Sequence, residues 1–462
     1  MNNTQRISNK VICAVIATGL MSFCGVIVET AMNVSFPTLM KEFHVNTATV
    51  QWMTTLYLLV VAIMVPLSAI LKRSFKTKQL FLTANLLFIA GVILDSFVPI
   101  FPLLLLGRLV QGLGTGIALP LMFNIILEQV PLARIGMMMG IGTLITAIAP
   151  AIGPTFGGVV ATNLSWRYIF ILLLPILIIS LILGLLTIQQ KNKLQPLKLD
   201  LISLIFIILM FAGFILGFSN MGNFNLLVAG AFLLGLIGII GLLVRSNRIE
   251  TPIIDLKIFK NVRFSGHAIS FFLFQLISLG LSFIVPNYIQ LVNGNTATIA
   301  GLVVLPGALL GAVFAPFSGR ILDRFGAKLP ILLGSSFVLI SLILFSLLAM
   351  HLINWVISIV YIILMTGAGL SFGNIMTNGL KQLSAKKQSD GNAVLNTMQQ
   401  FAGAVGTSIV AAIISQSQAT SSASIATATA LGSRHAFIFL LILSVIEIII
   451  LISVLTKARQ TT

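Results

Sequence analysis

The sequence predicts an all-α polytopic membrane protein with fourteen transmembrane helices, and three observations carry that expectation. First, only 8% of the 462 residues are charged, 58% are hydrophobic, and the mean hydropathy is +1.11. A soluble domain carries roughly 25% charged residues, so too little charge remains to cover a water-facing surface. Second, the apolar residues fall into runs of about 20, long enough to cross a bilayer as helices. They lack the period-two alternation over about 10 residues that marks barrel strands. Third, the basic residues sit in short clusters between these runs. These facts exclude a soluble enzyme, a disordered chain and, despite the net charge of +17, a nucleic-acid-binding domain.

In chain order the spans cover roughly 11–36, 49–71, 79–98, 101–126, 136–162, 167–188, 199–219, 224–244, 264–288, 299–322, 329–349, 354–378, 392–415 and 435–456. The first run is too long for a signal peptide and carries Glu29 where a cleavage motif should stand, so it is expected to stay as span 1. With the N-terminus in the cytoplasm, 23 Lys and Arg fall inside and three outside (Lys41, Arg167 and Arg434), with Arg108 within a span. That asymmetry predicts cytoplasmic N- and C-termini and an even span count. Basic breaks at Gln189–Lys198 and Arg245–Arg263 bracket spans 7 and 8. The expected organisation is therefore 6+2+6: a six-helix bundle over 1–190, two linker spans with a cytoplasmic interfacial segment over 191–263, and a second bundle over 264–462. Alternating apolar and basic residues in Arg245–Arg263 suggest a short helix lying along the membrane surface. Ser415–Ser433, rich in Ser, Thr and Ala, is expected to be an external flexible loop.

Span 10 is followed by Gly319-Arg-Ile-Leu-Asp323-Arg324-Phe-Gly326-Ala-Lys328, and span 2 by a degraded counterpart, Ser68-Ala-Ile-Leu-Lys72-Arg73-Ser-Phe75-Lys76. Two related halves follow, and repeats of this kind mark transporters. Span 4 carries Gly107-Arg108-Leu-Val-Gln111-Gly112-Leu-Gly114-Thr-Gly116; span 5 carries Ala149-Pro150-Ala-Ile-Gly153-Pro154-Thr-Phe-Gly157-Gly158; span 1 ends in Glu29-Thr30-Ala-Met-Asn33-Val-Ser-Phe-Pro37. With these strings the chain resembles the major facilitator superfamily over nearly its whole length, and more narrowly its 14-span drug:proton antiporter branch. The resemblance implies proton-coupled efflux of lipophilic or cationic compounds across the cell membrane by alternating access. The chain departs from the family pattern at Lys72, where an Asp is usual, and at Phe75, where a Gly is usual.

Gly153, Gly157 and Gly158 with Pro150 and Pro154 let helices approach closely and bend, which suits a hinge or seal; the plainer reading is tight packing. Gly319, Asp323 and Arg324 suit a latch of the inner gate, Asp323 accepting hydrogen bonds from helix N-terminal amides or from Arg324; the plainer reading is a solvated turn. Gly112, Gly114 and Gly116 lack the strand that a dinucleotide loop requires.

Intramembrane ionisable residues are the strongest site candidates. Glu29 falls about 12 Å and Arg108 about 10 Å from the outer end of their spans, at 1.5 Å per residue. Facing each other, they avoid the cost of an isolated buried charge, about 2.5–3.5 kcal/mol or more. Glu29, Arg108 and Glu447 are the proton-coupling candidates; Asp95 and Glu128 read as interfacial. Glu29, Asn33, Gln111, Trp52, Tyr57, Asn396 and Gln399 are the substrate-contact candidates, with hydrogen bonding or packing between helices as the alternative for the polar and aromatic members.

No histidine pair of metal-binding spacing occurs, two cysteines in one span make no zinc site, and no lysine follows a glycine as a nucleotide loop requires. No metal or cofactor is therefore expected. The expected partners are small lipophilic or cationic molecules, protons and the lipid bilayer. A transporter of one defined solute, including an importer, is the alternative; a membrane enzyme lacks the clustered His or acids it needs, and a passive channel suits the two-half architecture less well.

Overall fold

The computed structural model describes residues 7–456 except 34, 46, 192–193, 195–199, 222–224, 250–251, 254–255 and 421–423, together with most helix side chains. The side chains of Asn33 and Pro154 lie outside the described residues. Among the described residues, sixteen α-helices follow one another: α1 (Asn9–Asn33), α2 (Phe36–Glu42), α3 (Thr47–Ser74), α4 (Thr77–Phe97), α5 (Phe101–Gln129), α6 (Ile135–Asn163), α7 (Arg167–Ile171) and α8 (Leu174–Thr187) in the first half. Then come α9 (Leu201–Ser219), α10 (Leu226–Arg248), α11 (Val262–Leu291), α12 (Ala297–Phe325), α13 (Lys328–Leu348), α14 (Asn354–Lys381), α15 (Ala385–Thr420) and α16 (Ile425–Thr456).

Among the described residues, thirteen helical stretches are long and apolar enough to cross a membrane, and Trp52–Ser68 within α3 is a further, shorter apolar stretch. This is compatible with the fourteen spans expected. Expected span 1 is shortened: α1 ends at Asn33, and Pro37 belongs to the separate α2. Span 6 is split between α7 and α8 just before Pro175, which has no N–H to continue the ladder. Side chains cap several starts: Asp200 accepts from Ser203 N at α9, Asn225 from Val228 N at α10, and Asn261 from Phe264 N at α11.

The packing of the two halves repeats. α1 touches α5, α6 and α8 as α11 touches α14, α15 and α16; α5 holds α3 and α4 as α14 holds α12 and α13. Across the halves, α6 lies along α12 and α3 along α15. α9 and α10 form a hairpin in which Gly213, Gly235 and Gly238 let the backbones approach where a Cβ would not fit. This hairpin meets the rest through α9, which packs on α3 and α15. Phe401 of α15 anchors it, with its ring 5.6 Å from Phe214, 6.0 Å from Phe211 and 6.5 Å from Phe218.

Two expectations are corrected. Ser415–Ser433 is mostly helical, because α15 runs to Thr420 and α16 begins at Ile425, and Ala428, Thr429, Ala430, Gly432 and Ser433 are buried. Helix-favouring Ala and inward-facing small residues outweigh the loop-like composition. Among the described residues between α10 and α11, the helical turn Leu256–Lys260 is 3₁₀ rather than α, with Ile258 buried against the protein.

Candidate functional site

Four helices bring polar side chains together inside the first half. Arg108 of α5 is fully buried. Its Nε donates to the Met53 carbonyl of α3 (3.3 Å), its Nη1 donates to Gln111 Oε1 (2.8 Å), and its guanidinium lies 4.2 Å from the centroid of the Tyr57 ring. The Tyr57 hydroxyl donates to the Gly25 carbonyl of α1 (2.9 Å) and lies 2.9 Å from Thr115 Oγ1 of α5. Gln111 Nε2 in turn donates to Asp95 Oδ2 of α4 (2.9 Å). Glu29, one turn beyond Gly25 on α1, is half-buried and within electrostatic reach of Arg108. Among the ion pairs of the described residues, none joins it directly to Arg108. The predicted depth match of Glu29 and Arg108 therefore yields electrostatic neighbours rather than a salt bridge.

Asp95 corrects an expectation. It reads as interfacial from its place near the end of span 3, yet it is 0% exposed and belongs to the Arg108 network. The available signal was Gly107: in the antiparallel pairing of α4 and α5, a Cβ at Gly107 would occupy the place of the Asp95 carboxylate. Glu128 is not simply interfacial either; it pairs with Lys72 of α3 at 2.6 Å.

The glycine motif of span 5 lies against α1. A Cβ at Gly153 would meet Thr30, one at Gly157 would meet the backbone of Ala31, and Gly158 is buried beside them. The motif thus fastens α6 to the helix that bears Glu29.

At the end carrying the basic clusters, two charged contacts join the halves among the described residues. Asp323 of α12 accepts from the backbone N–H groups of Gly136 (3.1 Å) and Met137 (3.0 Å) at the start of α6, with Lys381 Nζ 3.6 Å away. Gly319 and Gly136 face each other so closely that a Cβ on either would strike the other's helix. Of the two donors considered for Asp323, the amides are used; Arg324 is exposed and lies over the Phe325 ring. On the other side, Arg73 of α3 donates through Nη2 to Asp390 Oδ2 of α15 at 2.6 Å.

The remaining candidates lie apart. Glu447 of α16 is 1% exposed and accepts from Ser335 of α13 (3.0 Å), in the other half from Arg108. Asn396 is buried and donates to Asn392, which reaches the Pro120 carbonyl and Asn124 of α5 across the halves. Gln399 is half-buried one turn further on. Trp52 is 41% exposed, and on a helix it cannot share the face of buried Met53 and Tyr57. A cavity of about 480 Å³ opens between α1 and α6 near Arg134, Met137 and Ile12 rather than at Arg108.

Comparison with known proteins bears on this architecture. The Major Facilitator Superfamily pattern matches residues 18–407. The lincomycin resistance protein LmrB of Bacillus subtilis (strain 168) is 36% identical over 454 residues, covering 95% of each chain. LmrB of Listeria monocytogenes is 36% identical over 447 residues, covering 94% of this chain and 95% of the relative. Among solved structures, the proton:xylose symporter XylE superposes with a TM-score of 0.64 at 13% identity, covering 95% of each chain, which speaks to the fold alone. With two repeated helical bundles, a buried charge network in one of them and a family match over most of its length, the chain belongs to the Major Facilitator Superfamily and is a multi-span membrane transporter, not an enzyme.

Proposed function

We propose that the protein exports lipophilic or cationic small molecules across the cell membrane in exchange for protons. The carrying observation is the buried network of Tyr57, Arg108 and Gln111 with half-buried Glu29 beside it, in which an acid sits within reach of a fixed guanidinium. An acid in that setting suits a proton carrier, because its carboxylate can be balanced either by the guanidinium or by a cationic substrate. The lincomycin resistance of the relatives supports export of drug-like molecules. Tyr57 and Gln111 belong to the Arg108 network; Asn33, Trp52, Asn396 and Gln399 are the further candidates for substrate contact. Glu447, held by Ser335 between outer helices, is the secondary candidate for proton coupling.

The working units are the bundles 1–190 and 264–462, with 191–263 as an accessory hairpin and connecting segment. The basic end faces the cytoplasm, in keeping with the excess of Lys and Arg there, which puts both termini inside. Gly153, Pro154, Gly157 and Gly158 serve as a seal between α1 and α6, and Gly319, Asp323 and Arg324 as part of the inner gate.

The test is concentrative transport in inside-out membrane vesicles energised with a proton gradient, using lincomycin and a cationic dye. Accumulation that collapses on adding a protonophore is expected. Accumulation insensitive to the protonophore, or movement only in the opposite direction, would remove proton-driven export and leave a carrier of another kind.

A further inference from the structure

Asp95 is a fully buried acid to which the export reading gives no role. The fold makes a place for it. Gly91 and Gly114 bring α4 and α5 together with no room for a Cβ, and Gly107 leaves the gap that the Asp95 carboxylate fills. From there Oδ2 accepts from Gln111 Nε2, and Gln111 Oε1 accepts from Arg108 Nη1, so one amide joins two buried opposite charges that do not touch. Asp95 Oδ1 and Arg108 Nη2 have no hydrogen-bond partner. The guanidinium also lies over the Tyr57 ring and within electrostatic reach of Glu29 of α1, and Cys24 of α1 lies within reach of Tyr57. The other charged groups near the far end of α4 are Arg167, which reaches the Val98 carbonyl, and its partner Glu42.

We infer that Asp95, acting through Gln111, is a positioning residue that gives Arg108 a standing counter-charge and thereby frees Glu29 to take up and release its proton. The proposal rests on the reading of Glu29 as the coupling acid. The reasoning is charge balance. Two acids share one guanidinium across the same layer. When Glu29 is protonated, Asp95 and Arg108 still balance each other, so no lone cation is stranded in the low-dielectric interior. When Glu29 loses its proton, its carboxylate gains only part of the attraction of Arg108, because Gln111 and Asp95 already engage that group. Its proton affinity is then set within a range that substrate can shift. With Asp95 neutral, Glu29 becomes the only counter-charge of Arg108. Protonating it would strand the guanidinium, so its protonated form becomes costlier and is reached only at lower pH.

The experiment follows proton release from purified protein on adding tetraphenylphosphonium, as a function of pH. Asp95→Asn keeps the shape of the side chain and its neighbour Gly107. It is expected to retain tetraphenylphosphonium binding while the midpoint of the release profile moves to lower pH by about one unit or more, the size of effect an adjacent opposite charge exerts. The double variant Asp95→Asn/Gln111→Glu places a carboxylate where Gln111 Oε1 now lies, 2.8 Å from Arg108 Nη1, and is expected to return the midpoint toward the wild-type value. A purely structural Asp95 predicts reduced stability with an unmoved midpoint and no rescue by charge at position 111. A wild-type midpoint in Asp95→Asn, beside a Glu29→Gln variant that releases no proton, overturns the Asp95 proposal alone. Release that persists in Glu29→Gln overturns the coupling reading and this proposal with it.

Discussion

The two charged contacts between the halves at the basic end, among the described residues, each join the end of one half's second span to the first turns of a helix in the other half, with opposite charge and one residue out of register. At the junction of α12 and α6, the loop supplies an anion, Asp323, and the helix start supplies the N–H groups of Gly136 and Met137. At the junction of α3 and α15, the loop supplies a cation, Arg73, and the second turn of the helix supplies an acid, Asp390. An acid in the first turns of a helix complements the partial positive charge there, as Asp323 does from outside. Asp390 has already placed that negative charge on α15 itself, so the loop must answer with a base. Lys72, one residue earlier, turns inward to Glu128 of its own half. The comparison teaches that both copies of the loop reach a helix start in the other half, from positions one residue apart, and that the sign of each partner is free as long as the pair is complementary. The loop that looks degraded is a second contact between the halves with its polarity reversed.

The largest effect is expected where no side chain can move aside. Gly319→Ala directs a Cβ into the backbone of Gly136 and Met137. Transport in vesicles should fall more than about tenfold at normal membrane levels, since the penalty needed is only about 1.4 kcal/mol. Normal rates would mean that the close approach of α6 and α12 is not part of the cycle. Next is charge reversal at the other junction. Arg73→Asp faces Asp390 with a like charge, and about a tenfold loss is expected; the exchange Arg73→Asp/Asp390→Arg should recover most of it. If the exchange is no better than the single change, the two residues are not a functional pair and the symmetry between the junctions fails.

Asp323→Asn comes third. It keeps one acceptor for the α6 amides and loses the charge, so transport several-fold slower is expected, in line with about 1.5–3 kcal/mol for hydrogen bonds to charged groups, part of which is retained. Equal losses in Asp323→Asn and Arg73→Gln would sharpen the comparison into a balanced pair of latches. The smallest effect lies outside both junctions. Asp200 caps α9 and holds Arg245 of α10 through two hydrogen bonds of 2.9 and 3.0 Å. The Arg245 guanidinium, with help from Ser203, holds the Asp200 carboxyl well below the usual carboxylate range. Its folded value is depressed, so its contribution is present above the ordinary aspartate value, about 3.9, and is lost as pH falls below it toward the lowered value. Hydrogen exchange in the first turn of α9, corrected for intrinsic rate, should therefore be unchanged from pH 7 to 5 and accelerate below about pH 4. Asp200→Ala should remove that step and cost about 1 kcal/mol at most locally.

Much of this was legible in the sequence because hydropathy and charge act on runs of residues. The apolar runs, the basic breaks around α9 and α10, and the paired loop strings each rest on many positions at once. The motifs of spans 1, 4 and 5 led to Glu29, Arg108, Gln111 and Gly153. Pairwise geometry was not legible. Asp95 looked interfacial because its distance to the end of span 3 is short, while its burial depends on Gly107 of the next helix. Lys72 looked like the loss of a motif because its partner Glu128 lies 56 residues away in sequence, and nothing near Arg73 pointed to Asp390, 317 residues away. Glu447 was singled out for its membrane depth, which does not reveal that Ser335 holds it between outer helices. The helical course of Ala428–Ser433 was hidden because small polar residues serve equally in loops and in tight helix contacts.

The most direct measurement of the central claim is substrate-induced proton release from the purified protein at neutral pH, wild type against Glu29→Gln. The account predicts release from the wild type and none from the variant, together with loss of concentrative efflux of a cationic substrate. Release and concentrative efflux that both survive in Glu29→Gln would make Glu29 structural and contradict proton coupling at the Arg108 layer.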